Sequence, residues 1–102
     1  MYLIELFLPL YDNRGEALPR SHFNAVRTEL TERFGGLTAF TRAPAVGLWK
    51  DDEDQTRRDE IVIYEVMTER VDRAWWRDYR ERLENRFQQE QIVIRATDIE
   101  PL

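Results

Sequence analysis

Few side chains in this chain of 102 residues carry the means for chemistry, and they are scattered. His22 is the sole imidazole. It could act as a general base, because imidazole titrates near neutral pH. It stands next to Phe23 and Asn24 with no carboxylate or nucleophile at a telling spacing, and a lone His at a helix start is ordinarily solvated or hydrogen-bonded. Arg42, Trp49 and Lys50 could line a pocket for an anionic ligand, with Arg42 as the fork-shaped donor. The plainer role for Trp49 is to cover a sheet edge or a helix end. Tyr64 adds a phenol in the middle of an apolar segment. Asp51-Asp52-Glu53-Asp54 offers carboxylate oxygens to a hard cation, but lacks the glycine and spacing of a calcium loop. A solvated loop tip explains it, so no metal ligand is assigned. There is no Cys, so disulfides, thiolate metal sites and Cys nucleophiles are excluded. No phosphate loop and no Ser-His-Asp logic is present. No residue is assigned a catalytic role, and no residue set implies a cofactor.

Composition narrows the partners. The formal net charge is −5, which disfavours nucleic acid, because phosphate binding wants a basic surface. Arg57-Arg58 is a short exception. No apolar run approaches the ~20 residues of a membrane span, and the segment Met1-Tyr2-Leu3-Ile4-Glu5 lacks the basic start of a secretory signal. A cytoplasmic protein is expected.

The elements that must position these residues follow from periodicity. Residues 2–11 form an apolar run of strand length. Residues 12–16 are a turn cluster. A first helix starts near Leu18 or Ser21, and Phe23, Val26, Leu30 and Phe34 fall within about 80° on its wheel. Gly35-Gly36 ends it. Residues 37–49 read as a strand interrupted by Pro44 and Gly47, which suggests a bulge or an edge position. Residues 50–60 read as a solvated loop. Residues 61–67 form the strongest strand, rich in β-branched residues. Thr68 or Asp72 can cap a second helix running to about Gln89, with Trp75, Trp76, Tyr79, Leu83 and Phe87 on one stripe. Residues 91–97 form the last strand. The order β-α-β-β-α-β over residues 1–102 predicts one α+β domain of the ferredoxin-like type. Its four-stranded antiparallel sheet has order 4-1-3-2 and both helices on one face.

Strand parity carries the main functional signal, since successive residues point to opposite faces. One set is free of charge and should meet the helices: Tyr2, Ile4, Leu6 and Leu8; Val62, Tyr64 and Val66; Ile92, Ile94 and Ala96. The other set is also greasy where water would favour polar residues. It holds Leu3, Phe7, Phe40, Ile61, Ile63, Met67 and Val93, with Glu5, Arg42, Glu65 and Arg95 among them. An apolar patch of that size marks a partner site. Homodimers are the commonest oligomers, so a second copy is the expected occupant. Arg95 should pair with Glu5, and Arg42 with Glu65, because buried charges persist only when paired.

This layout resembles the dimeric α/β-barrel superfamily. A more local likeness is to a family of small bacterial proteins without an established activity, carried by Phe34-Gly35-Gly36-Leu37-Thr38, then Gly47-Leu48-Trp49, then strand 61–67. The homodimer expected from strand parity agrees with this superfamily, and His22, Arg42, Trp49 and Tyr64 are the candidate contacts for a small-molecule ligand. The alternative that the superfamily resemblance implies is a cofactor-independent monooxygenase or isomerase. The second helix lacks the His that such oxygenases commonly carry. Acylphosphatases and RNA-recognition domains share the topology, but residues 9–20 do not match the anion loop of the former. Strand 61–67 offers only Tyr64 as a stacking aromatic for the latter.

Overall fold

A computed structural model describes the backbone of residues 1–50 and 56–102, and the side chains of residues 1–40 and 60–102. The elements run β1 (Tyr2–Pro9), α1 (Arg20–Phe34), β2 (Thr38–Lys50), β3 (Thr56–Thr68), α2 (Arg73–Arg86) and β4 (Ile94–Asp98). All pairings are antiparallel, and the sheet order is β2-β3-β1-β4. This is the expected order 4-1-3-2 read from the other edge.

Local chemistry accounts for the boundaries. In the β1–α1 connection the Asp12 carboxylate accepts the N–H groups of Arg14 and Glu16, and Gly15 supplies a left-handed φ of 81°. Pro19 precedes α1 with an extended ψ of 136° and cannot cap it through a side chain. The helix stops at Gly35, whose φ of 79° suits a residue without Cβ, and the Gly35 N–H closes on the Thr31 carbonyl. Of the two possible caps for α2, Asp72 is used: its Oδ1 accepts from the Trp75 N–H at 3.1 Å. The β2–β3 register shifts between Phe40 and Ala45, the irregularity that Pro44 foreshadows, and β2 lies at a sheet edge.

The helix-facing set forms the core. Ile4, Leu6, Leu8, Val62, Tyr64 and Val66 are buried against Val26 and Leu30 of α1 and Trp76, Tyr79 and Leu83 of α2. Each large side chain removed from water in this layer is worth roughly 1.5–3 kcal/mol. Aromatic rings knit one end together. Phe34 stacks on Trp76 at 5.3 Å, while Trp75 stacks on Tyr79 at 4.8 Å.

Three boundaries and one burial depart from the sequence expectation. β3 begins at Thr56, so residues 56–60 belong to a strand and not to a loop. Their polarity reads as loop, but pairing with residues 46–50 of β2 needs only backbone N–H and C=O groups. α2 ends at Arg86, where Phe87 turns inward and Gln88 adopts a φ of 53°. β4 starts at Ile94 and spans five residues, although Ile92 ahead of it is buried. Ala96 is exposed, because β4 is the outer strand and the helical layer does not reach its far end. The acidic run of residues 51–54 lies outside the described residues.

Candidate functional site

The open sheet face is built in rows that cross the strands. The register sets Glu5 opposite Glu65 on β3 and Arg95 on β4, while Thr38 of β2 faces Glu65. This gives a polar row: Thr38, Glu65, Glu5, Arg95. One step along β1, Phe7 lies opposite Ile63, which pairs with Phe40, and the Phe7 N–H donates to the Val93 carbonyl at 3.0 Å. That second row, Phe40, Ile63, Phe7, Val93, is wholly apolar. On the other side of the polar row lie Met67, Leu3 and Thr97.

Exposure follows from the missing cover. Phe40 is 48%, Val93 49% and Met67 58% exposed. Leu3, Phe7, Ile61 and Ile63 are half-buried by their in-sheet neighbours alone, since this face points away from both helices.

The polar row has a defined electrostatic order. Arg95 Nε donates to Glu5 Oε1 at 2.9 Å, as parity predicts. The same guanidinium lies 4.8 Å from the centre of the Phe7 ring, so it covers apolar surface while it binds the carboxylate. The Glu5 side chain is 17% exposed and that of Arg95 60%. Glu65 faces Glu5 across the β1–β3 ladder. Burial, together with the charge of Glu5, pushes the Glu65 carboxyl above the usual carboxylate range.

The remaining candidates occupy other places. Tyr64 is fully buried on the helix side, and its hydroxyl accepts from Arg27 Nε at 3.0 Å. His22, near the start of α1, sets its ring edge-on to Phe87 at 5.7 Å. These two residues serve separate contacts and do not converge. The side chains of Arg42 and Trp49 lie outside the described residues. On the backbone, Trp49 pairs with Arg57, and Thr38 rather than Arg42 stands across from Glu65.

One polar constellation escapes sequence reasoning. Glu29 of α1 gathers three donors from α2. Arg86 binds both its oxygens, at 2.7 and 3.0 Å, Arg82 donates at 2.9 Å, and the Tyr79 hydroxyl at 3.0 Å. The hydrogen bonds from Arg86 hold the Glu29 carboxyl below its ordinary range. Burial, with the Glu29 charge beside it, drives the Tyr79 phenol far above its own. The 79, 82, 86 spacing places three donors on one stripe of α2, which is the only trace in the sequence. Their acceptor depends on how the helices cross.

A depressed carboxylate contributes stability that is complete above its unfolded value, near 4.3, and is lost as pH falls through the folded value. Glu29→Gln should therefore lower unfolding stability by about 1–3 kcal/mol at pH 7. The gap from wild type should close progressively below about pH 4.5 in chemical denaturation. A gap independent of pH would show that the carboxylate charge is not what the clamp uses.

No protein-family model and no curated protein matches the chain. Solved structures do. A phage SAM lyase in complex with S-methyl-5'-thioadenosine superposes with a TM-score of 0.65 at 11% identity, covering 95% of this chain and 80% of that one. A CutA1 variant from Pyrococcus horikoshii OT3 gives 0.61 at 12% identity, with 100% and 86% coverage. Pyrococcus horikoshii CutA in guanidine hydrochloride gives 0.60 at 12%, with 100% and 87%. At these identities the likeness is one of fold. The chain is a small α/β protein of the ferredoxin-like fold. Among the described residues, no helix is long and apolar enough to cross a membrane.

Proposed function

We propose that this protein is a self-associating binding or interaction module, in which two copies close their open sheet faces on one another as in dimeric α/β barrels. The observation that supports this is the apolar row Phe40, Ile63, Phe7 and Val93, which crosses β2, β3 and β1 and ends on the residue before β4, on the side away from the helices. Four strands about 4.8 Å apart and about 26 Å long present a face of roughly 500 Å². Two such faces in contact hide on the order of 1,000 Å², the lower bound for a specific interface.

The enzymatic alternative, a cofactor-independent oxygenase or isomerase, needs a catalytic group poised over a chamber. His22 packs on Phe87 and the Tyr64 hydroxyl is engaged by Arg27, so neither lends it support. A small-molecule contact by His22, Tyr64, Arg42 or Trp49 belongs to the binding reading and would be secondary to association. Sedimentation at micromolar concentration tests the main claim. A species of twice the 12.3 kDa chain mass is expected, and a clean monomer overturns the reading.

A further inference from the structure

Among the simple arrangements of two face-to-face copies, one joins three strands of each sheet and also gives Glu65 a cationic partner. The argument rests on the self-association proposed above. A two-fold axis joining two sheets face to face lies in the plane between them, and aligned strands leave it running either across the strands or along them. An axis across the strands through the polar row sets Glu5, Glu65 and Arg95 each against its own copy, which is repulsive throughout. Shifted to midway between that row and the next, it presses the charges onto Phe7 and Ile63, where nothing compensates their desolvation. An axis along the gap between β3 and β1 sets Glu5 against the partner's Glu65. One between β1 and β4 sets Glu5 over the partner's Arg95 but leaves β2 and β3, and with them Glu65, outside the contact.

An axis along β1 brings β3, β1 and β4 of each copy into contact; it sets Glu5 against the partner's Glu5 on the axis, but the Arg95 bound to each Glu5 flanks that pair. It keeps each row opposite the same row of the other copy. Phe7 meets the partner's Phe7, Ile63 meets the partner's Val93, and Arg95 lies over the partner's Glu65. Within one chain Arg95 and Glu65 are two strands apart, about 9–10 Å, on either side of Glu5. Arg95 spends its Nε on Glu5 in the same chain. Its two terminal nitrogens belong to a side chain that is 60% exposed on the open face.

We infer that two copies pack about a two-fold axis along β1, with Arg95 bridging Glu5 of its own chain to Glu65 of the partner subunit. Glu65 then gains a cation where its own chain sets the like charge of Glu5 beside it. The raised affinity of that carboxyl for protons in the single chain fits a group awaiting such a partner.

Charge reversal tests the pairing directly. Glu65→Arg alone sets cation against cation, and Arg95→Glu alone sets carboxylate against carboxylate. Each should weaken association by at least about tenfold in Kd. An equimolar mixture should recover dimers, because each mixed dimer contains two opposite-charge contacts. Native mass spectrometry should show mixed dimers in excess of either homodimer. Reversals that leave Kd unchanged, or a mixture no better associated than its components, overturn the bridge while wild-type dimers still uphold self-association. A wild-type monomer removes both. Should a reversal fail to fold, Glu65→Gln, Arg95→Gln and their double variant form a cycle. Non-additivity in dimer Kd, absent from melting of the dilute monomer, supports the bridge. Additivity in both refutes it.

Discussion

Ile63→Lys leaves a folded monomer. Ile63 sits inside the apolar row, flanked by Phe40 and Phe7, on the side of the sheet that neither helix covers. In a single chain a lysine there keeps its ammonium in water and lays its stem along the sheet. The loss is limited to cross-strand packing, worth about 0.2–1 kcal/mol. In a dimer the same ammonium is enclosed against the partner's apolar row with no carboxylate facing it. Burying an unpaired charge costs several kcal/mol. An expected weakening of about a thousandfold in Kd corresponds to about 4 kcal/mol. Sedimentation should move to the 12.3 kDa species, with a melting temperature close to that of wild type under dilute conditions. Retention of the dimer would mean that association uses another surface.

This face was legible in the sequence because a strand's period is two. Knowing only that residues 2–9 and 61–67 are extended fixes which side chains share a face. It also places Glu5 beside Arg95 once the strand order is right. The strand order was legible too, since two right-handed crossovers leave few alternatives. Other features depend on geometry that no local pattern encodes. The polar stretch of residues 56–60 resembles a loop, and only its pairing with β2 makes it a strand. The i,i+4 spacing of Asp78 and Arg82 would suit a contact along α2, yet Arg82 reaches across to Glu29. The expected pairing of Arg42 with Glu65 presumed a β2–β3 register four residues away from the real one, in which Thr38 stands across from Glu65. The shift after Phe40 governs where Arg42 falls, and its side chain lies outside the described residues.

Phe87→Ala should cause the largest loss of stability of any single change proposed here. Phe87 is fully buried at the end of α2, and its N–H closes on the Leu83 carbonyl at 2.8 Å. The Phe23 ring meets it edge-on at 5.1 Å and the His22 ring at 5.7 Å. It therefore joins the first turn of α1 to the last turn of α2. Truncation removes the transfer free energy of the ring and opens a cavity between elements held apart by the sheet. The expected cost is about 3–5 kcal/mol. For a domain of this size that is a fall of roughly 15–25 °C in melting temperature. Calorimetry of the dilute protein should record it. A loss under about 1 kcal/mol would show that the helix ends close over the gap.

The place of β1 in the sheet has a consequence for how the chain is made. Of the four strands β1 is synthesised first, yet it lies between β3 and β4, and its residue Tyr2 pairs with both Thr68 and Asp98. This strand, greasy on both sides, must wait until residues 94–98 have emerged before its second neighbour is available. Distant pairings of this kind slow folding and prolong the exposure of sticky intermediates. Folding of this domain should therefore depend on chaperones that shield β1 while β4 is still being made.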